Sequence, residues 1–416
     1  MNRYLPLEEV FKRNTGTERF LENESEGKHR LNDASAFRTG IEISSGELFF
    51  TIPNELSRLS EKVLRVERKI SSLWKSLPPI ARGASIRSLV MDEIVSSNKI
   101  EGIRSTRKQI ATALTSLNEE TAIGEQRKAK KFREFALLYI NLTEKTQSLP
   151  KTPQDIRIIY DAVVSGSLKK RDQPDGIIFR TETVDVQNRF GYSVHKGVYP
   201  EESIVQMINK MLDLVASEEI PEMYSAILSH FVFEYIHPFY DGNGRTGRYL
   251  LALYLSKPLS MPTVLSLSRV IAENSKPYYK AFSITESKLN HAEATFFILE
   301  MMKLIRIAQE ELLSDLEQKI ALLASAEEHI FGVRGTPTDL SEKANQLLYL
   351  FAQDSLFALL SGVAPNEGAR YLGVTPQTAR KYAQELFENG LVYKTSNRPL
   401  AFALSQKGST LLELPT

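Results

Sequence analysis

His237-Pro238-Phe239-Tyr240-Asp241-Gly242-Asn243-Gly244-Arg245-Thr246-Gly247-Arg248 is the stretch that decides how this chain is read. It packs an imidazole, a carboxylate, three glycines, an amide and two guanidinium groups into twelve residues. A hydrophobic core has no use for that mixture. Pro238 disfavours the α conformation at His237, so a preceding helix should end there. Asp241-Gly242 signals a turn. Gly242-Asn243-Gly244 can aim several backbone N–H groups at one point, which makes a nest for an anion. From about Arg245 the pattern becomes helical through Tyr249, Leu250, Leu251, Leu253, Tyr254 and Leu255, with no breaker before Pro258. The start of that helix favours negative charge. Arg245 and Arg248, three apart, share one of its faces. Two cations side by side at the positive end of a helix repel each other, so an anion is expected between or beside them.

Three other glycine-loop readings fail on the neighbouring residues. Gly242, Gly244 and Gly247 fit a dinucleotide-binding G-x-G-x-x-G, but the acidic residue wanted about 20 positions later is missing from Val264-Leu265-Ser266-Leu267-Ser268. In a Walker A loop, Lys and Ser/Thr would stand where Arg248 and Tyr249 are. The H-R-D and D-F-G segments of a protein kinase do not occur. The stretch resembles the signature of the Fic family, H-x-F-x-[D/E]-G-N-G-R-x-x-R, and matches it at every fixed position.

Composition narrows the class further. A chain of 416 residues exceeds one ordinary core, so two or three domains are expected. The formal net charge of +1 gives no general attraction to nucleic acid or membrane. Without cysteine there are no disulfides, thiolate metal sites or cysteine nucleophiles. The N-terminus lacks an apolar signal core, and no apolar run approaches the ~18 residues of a membrane span. The default expectation is a cytoplasmic protein with no membrane partner.

Read in order, residues 1–53 form an arm with little signal beyond a short apolar run at Gly46–Ile52. A helical region covers 54–150. Its first stripe, Leu56, Leu59, Val63, Val66, Ile70 and Leu73, recurs at helical spacing. The stripe is expected to pack on the rest of the protein, with a homodimer contact as the alternative. A second helix at Ile86–Ile103 carries Ser97 and Glu101 on one face, with Gly102 to end it. The basic run Arg127, Lys128, Lys130, Lys131 and Arg133 reads as a solvated helix face. Residues 151–330 hold the signature. Within them Ile177–Arg180, Val184-Asp185-Val186, Tyr192–Val194 and Val198-Tyr199 read as β structure, with a hairpin over Gln187-Asn188-Arg189 and Gly191. His195 reads as a surface histidine and His230 as a packed one. Tyr278-Tyr279 reads as core filling.

A linker is expected at Phe331–Thr338, then a last domain over 338–416. There the order helix, Gly373-Val374 turn, helix, hairpin around Asn397-Arg398-Pro399 outlines a winged helix-turn-helix. Thr375 is a fair cap for its second helix. Residues 361–416 carry six basic and four acidic side chains, a modest +2 for a phosphate-binding surface. DNA and protein are therefore equal expectations for its partner.

The Fic resemblance spans about residues 90–305. It implies a mostly α fold: a helical core with a small β-hairpin flap, beside the C-terminal winged helix. It also implies transfer of AMP from ATP to a protein hydroxyl, with Mg²⁺. His237 is then the general base, the one group in the loop with a pKa near neutrality. Asp241 offers a hard oxygen ligand to Mg²⁺. Gly242, Asn243 and Gly244 hold phosphates by backbone and amide donors, and Arg245 and Arg248 neutralise them. The segment with Ser97, Glu101 and Gly102 resembles the family's inhibitory helix, which implies that Glu101 pairs with Arg248. The hairpin at Val184, Asp185 and Val186 resembles the flap that docks a target segment by strand pairing. The acceptor would be another protein or the chain itself. Open alternatives are removal of AMP, transfer of another phosphate-bearing group, and a DNA-binding regulator whose Fic part only senses nucleotide.

Overall fold

Two helices, Glu222–Ile236 and Asn243–Leu255, are buried on nearly every side. Helices apolar all round belong in an interior, and these two frame the loop 237–242 between them. The structure is a computed structural model of the chain and describes residues 4–115, 126–187, 193–332, 340–359, 362–397 and 400–415. The side chains of Arg127, Lys128, Lys130 and Lys131 lie outside the described residues. So do Asn188, Arg189, Gly191 and Tyr192 of the expected hairpin tip, linker residues 333–338, and Arg398-Pro399.

The chain forms two compact units, residues 1–67 with 90–309, and residues 68–89 with 310–416. The fold is mostly helical, as expected. Among the described residues, β structure is confined to three antiparallel two-stranded hairpins and two isolated bridges. No helix among them is long and apolar enough to cross a membrane.

In the first unit the arm is more ordered than its sequence suggests. It forms helices Leu7–Arg13 and Arg19–Leu31, then a hairpin of Phe37–Ile43 with Gly46–Phe50 that pairs Phe37 with Phe50. Its partners are distant in sequence: Glu293, fully buried, accepts from Tyr4 Oη at 2.6 Å and from Arg30 Nη1 at 2.9 Å. The stripe residues Leu56, Leu59 and Val63 are buried, and so is Ile70, which belongs to the second unit. The helix expected from Ile86 starts earlier, at Pro79, and runs to Ile100; proline is tolerated in a first turn because its missing N–H would be unpaired there. A helix at Arg107–Thr115 was not anticipated. Helix Pro153–Val164 opens on a capping box, Thr152 Oγ1 accepting from Asp155 N at 3.2 Å and Asp155 Oδ2 from Thr152 N at 2.9 Å.

Two expected β segments are absent: Val198-Tyr199 lies beyond the strand that ends at Lys196, and a second stretch is irregular. Ile177–Arg180 is an irregular loop, because the N–H groups of Ile177, Ile178 and Phe179 donate to the Glu201 carboxylate at 3.1, 2.7 and 2.8 Å. A single side chain thereby takes the donors a neighbouring strand would have used.

In the second unit, Ser341 caps the helix Glu342–Phe357. Helix Pro365–Leu372 ends on Gly373 at φ +66°, and Thr375 caps Pro376–Glu388, accepting from Thr378 N at 3.3 Å. The hairpin of Val392–Asn397 with Leu400–Leu404 follows, and Val363 bridges to Phe402 as a further β contact. Leu347, Phe351, Ala379, Leu386 and Phe402 are buried in this unit. A final helix, Gln406–Leu411, was not foreseen.

Candidate active site

Pro238 forces the helix before it to stop, and His237 takes the left-handed conformation at φ +50°, ψ +61°. Its N–H still donates to Phe233 O at 3.0 Å. The carbonyl of His237 accepts from Arg180 Nε at 2.9 Å. The imidazole is half-buried, its Nδ1 has no hydrogen-bond partner, and burial pulls its pKa down to about 4. It is therefore neutral near pH 7 and able to take a proton.

The loop is closed by its own amide. Asn243 Oδ1 accepts from Phe239 N at 3.0 Å while its Nδ2 donates to Phe239 O at 2.7 Å. This corrects one expectation: the Asn243 side chain is 2 % exposed and clamps the loop backbone, so it is not a free donor for a phosphate. Tyr160 stacks on Phe239 and donates to Asp241 O at 3.1 Å. Gly242 at φ +88° is the left-handed cap of the next helix, and a Cβ there would lie 2.5 Å from Val164 Cγ1. Asp241 is exposed.

Helix Asn243–Leu255 starts two residues before the expected Arg245 and buries both arginines. Arg245 Nη1 donates to Ser167 Oγ at 3.0 Å, but its buried Nε has no partner. Burial lowers its pKa, against the nearby Asp241 and Glu101 carboxylates. Arg248 is held on three contacts: Nε to Ser97 Oγ at 3.0 Å, Nη2 to Ser97 O at 2.9 Å, and Nη2 to Glu101 Oε1 at 2.8 Å. Burial works against its charge, but the Glu101, Tyr278 and Glu234 side chains outweigh burial and raise its pKa. Ser97 and Glu101 reach it from the end of helix Pro79–Ile100, and Gly102 turns the chain away at φ +69°. The Glu101 carboxylate lies over Gly244: a Cβ on that residue would sit 2.1 Å from Glu101 Oε1. So the structure brings Ser97, Glu101, Gly244 and Arg248 together, at the helix start.

Phosphates fit these residues. The unpartnered Arg245 Nε is a buried donor awaiting an acceptor. Gly244 leaves the approach to the helix N-terminus open to an anion, and a carboxylate already takes it. Asp241 has the donor chemistry that Mg²⁺ favours, and it is accessible.

Three further titratable groups lie under this surface. His230 is packed as expected, 1 % exposed, with Nε2 on Tyr278 Oη at 2.7 Å; burial and Arg248 lower its pKa to about 3. Glu234 Oε1 is buried with no hydrogen-bond partner, and burial raises its pKa to about 8. A Cβ on Gly247 would lie 2.2 Å from it. Glu93, also raised by burial, to about 7, accepts from Tyr139 Oη at 3.1 Å and Ser268 N at 3.0 Å.

The hairpin pairs Asp185 with Lys196 and Val186 with His195; Val184 stands just outside the strand Asp185–Gln187, its carbonyl accepting from Gly197 N at 3.0 Å. It joins the loop at the His237 end, where Val198 N donates to Ile236 O at 3.0 Å. His195 is not the surface residue expected. Its side chain is 11 % exposed, with Nδ1 2.9 Å from Glu286 Oε2 and Nε2 2.6 Å from Tyr235 O. Among the described residues no cluster of His, Cys, Asp and Glu could hold a metal ion. Tyr278 fills the core as expected, whereas Tyr279 is 52 % exposed.

Residues 150–255 match the family model described as Fic/DOC family. The structure resembles that of a Fic family protein from Desulfovibrio desulfuricans, with a TM-score of 0.51 and 19% identity, over 86% of this chain and 98% of that one. At that identity the likeness shows a shared fold. A Fic domain containing signaling protein from Bacteroides thetaiotaomicron matches at TM-score 0.42 and 19% identity, over 61% of this chain and 95% of that one. Fic-1 from C. elegans matches at TM-score 0.43 and 18% identity, over 63% and 74%.

Proposed function

We propose that this chain, which carries a Fic/DOC family domain at residues 150–255, transfers AMP from ATP to a protein hydroxyl and is held inactive by Glu101. Fic-domain proteins are typically transferases that act on protein targets, and AMP is the group they commonly move. The observation that carries the finer reading is the ion pair of Glu101 with Arg248 over Gly244, beside the loop that presents His237 and Asp241.

In this reading His237 Nε2 takes the proton of a Ser, Thr or Tyr hydroxyl as its oxygen attacks the α-phosphorus of ATP. The P–O bond to the β-phosphate breaks, pyrophosphate leaves, and AMP ends on the acceptor. The Gly242–Gly244 backbone and the Arg245 and Arg248 guanidiniums bind the phosphates. A bound Mg²⁺, held by Asp241, supplies charge neutralisation on the phosphate oxygens. The chain contributes positioning and electrostatics, with no covalent intermediate. Glu101 blocks this by holding Arg248 where a phosphate would need it. The 28% exposure of its side chain, against 2% for Arg248, marks it as the partner that can leave. The hairpin at Val184, Asp185 and Val186 offers a strand edge to the acceptor segment.

The test is mass spectrometry of lysate incubated with ATP and either the wild-type chain or Glu101→Gly. A gain of AMP mass on a protein, greater with Glu101→Gly, supports the reading. A different added mass assigns another transferred group, and loss of AMP from a modified protein assigns the reverse reaction. A second reading, a nucleotide-sensing DNA regulator, draws on the exposed Arg380 and Lys381 of helix Pro376–Glu388, which in a winged helix would face the major groove. A gel shift against genomic fragments, with and without ATP, separates the two.

A further inference from the structure

Arg180 is fully buried, at 0 % exposure, with no carboxylate among its hydrogen-bond partners within the described residues. An isolated buried cation is costly, so each N–H must find an acceptor. Arg180 finds only carbonyls. Nε donates to His237 O at 2.9 Å, Nη2 to Val198 O at 2.7 Å and Ile236 O at 3.4 Å, and Nη1 to Glu182 O. Its backbone N–H donates to Pro238 O at 3.3 Å.

These acceptors come from three places. Ile236 and His237 end the helix Glu222–Ile236, where carbonyls lack intrahelical partners and the helix dipole favours a cation. Val198 follows the hairpin strand Ser193–Lys196. Glu182 precedes the strand Asp185–Gln187. The planar guanidinium, with five N–H groups in a fixed fork, can serve all of them; an ammonium cannot. Close packing makes the contact narrow. A Cβ on Gly197 would lie 2.5 Å from Arg180 Nη2 and 3.2 Å from both His237 Cβ and Ile236 O. His237 itself is a non-glycine residue at φ +50°, a conformation that persists only where its surroundings fix it.

We propose that Arg180 is a positioning residue of this site: its guanidinium locks the backbone of His237 and both roots of the hairpin into one piece, so that the base and the strand edge presenting the acceptor hold a fixed relation. The proposal rests on the reading of His237 as the base. Arg180 acts through His237 and touches neither nucleotide nor acceptor. Its charge also disfavours the imidazolium of His237, after burial and alongside His195, while Glu101 acts in the opposite sense.

The test uses the full chain carrying Glu101→Gly as parent, with Arg180→Lys, Arg180→Met and Gly197→Ala added singly. The first readout is independent of transfer: an NMR pH titration of the His237 imidazole, assigned by His237→Ala. Arg180→Met should move that titration up, with burial of the ring still holding it below the ordinary histidine range, and Arg180→Lys should move it less. The second readout is the split between kcat and KM. All three variants should lose kcat, by about 10²-fold for Arg180→Met, with KM for ATP unchanged. A merely structural role would lower the melting temperature and move neither the titration nor the split. If Arg180→Met does not fold, Gly197→Ala decides, since it keeps every charge and its Cβ meets the guanidinium most closely: unchanged kcat in folded Gly197→Ala overturns the proposal. So does folded Arg180→Met with the parent's titration and kcat. Should the parent itself move no AMP, the transfer reading fails, while the titration still decides whether Arg180 acts on His237.

Discussion

The two ends of the signature stretch are held in opposite ways. At the His237 end the contacts are backbone carbonyls met by a guanidinium that nothing else competes for. At the Arg248 end the guanidinium is itself the held group. There a serine and one carboxylate hold it, and that carboxylate is partly exposed. A group satisfied by carbonyls of its own unit has no replacement partner and stays put. A group satisfied by a carboxylate can exchange it for a phosphate at little net cost, because one anion replaces another. On the proposed reading, the fixed end serves chemistry and the exchangeable end serves control.

The largest expected effect breaks the fixed end. His237→Ala should cost about 10²–10⁴ in transfer rate while ATP affinity, measured by calorimetry, stays near that of the parent. Loss of ATP binding in that variant would place His237 in the phosphate site and erase the contrast. In the parent, kcat/KM should fall only in acid, below about pH 4, where the His237 imidazole gains its proton. An acid limb near the ordinary histidine pKa would contradict the buried setting described here.

A smaller effect is expected at the exchangeable end. Arg248→Ala removes a charge-assisted contact to phosphate worth about 1.5–3 kcal/mol, roughly a ten- to hundred-fold loss in ATP affinity. Adding Glu101→Gly to it should change nothing further, since a brake on a missing arginine has no target. A double variant more active than Arg248→Ala alone would mean that Glu101 acts elsewhere.

The smallest effect concerns Glu234, which lies between the two ends. Its folded pKa is about 8 against an ordinary 4.5, so the folded protein binds more protons than the unfolded chain between those values. Stability should then fall as pH rises through that window. Glu234→Gln should flatten this fall. Melting temperatures taken near both ends of the window check it, and an unchanged slope would show that Glu234 ionises freely in the fold.

Half of the exchangeable end was legible in the sequence because its chemistry is contiguous, while the pairing of Glu101 with Arg248 came only from the family resemblance. Asp241 to Arg248 lie within one turn and one helix start, and Ser97 and Glu101 stand at helical spacing beside Gly102. The mostly helical fold followed from the family resemblance, with the apolar stripe of Leu56 to Leu73 in keeping with it. The fixed end was not legible. Ile178-Phe179-Arg180 reads as a strand because β-branched and aromatic residues dominate it, and only the distant Glu201 takes its donors away. A buried arginine bound to carbonyls leaves no partner residue to find, since every position has a carbonyl. Gly197, one residue after the strand, was the nearest available signal. The arm was obscure for a related reason: Tyr4 and Arg30 gain meaning only through Glu293, more than 260 positions away.

The most direct measurement is the rate of labelled AMP transfer, to lysate protein or to the chain itself, by wild type and Glu101→Gly at equal concentration and equal fold by circular dichroism. The exchange of one anion for another at Arg248 predicts a strong rise in the Glu101→Gly protein, because the phosphate no longer competes with a carboxylate. An unchanged or lower rate, in a folded protein that binds ATP, would contradict it and leave Glu101 as a structural partner of Arg248.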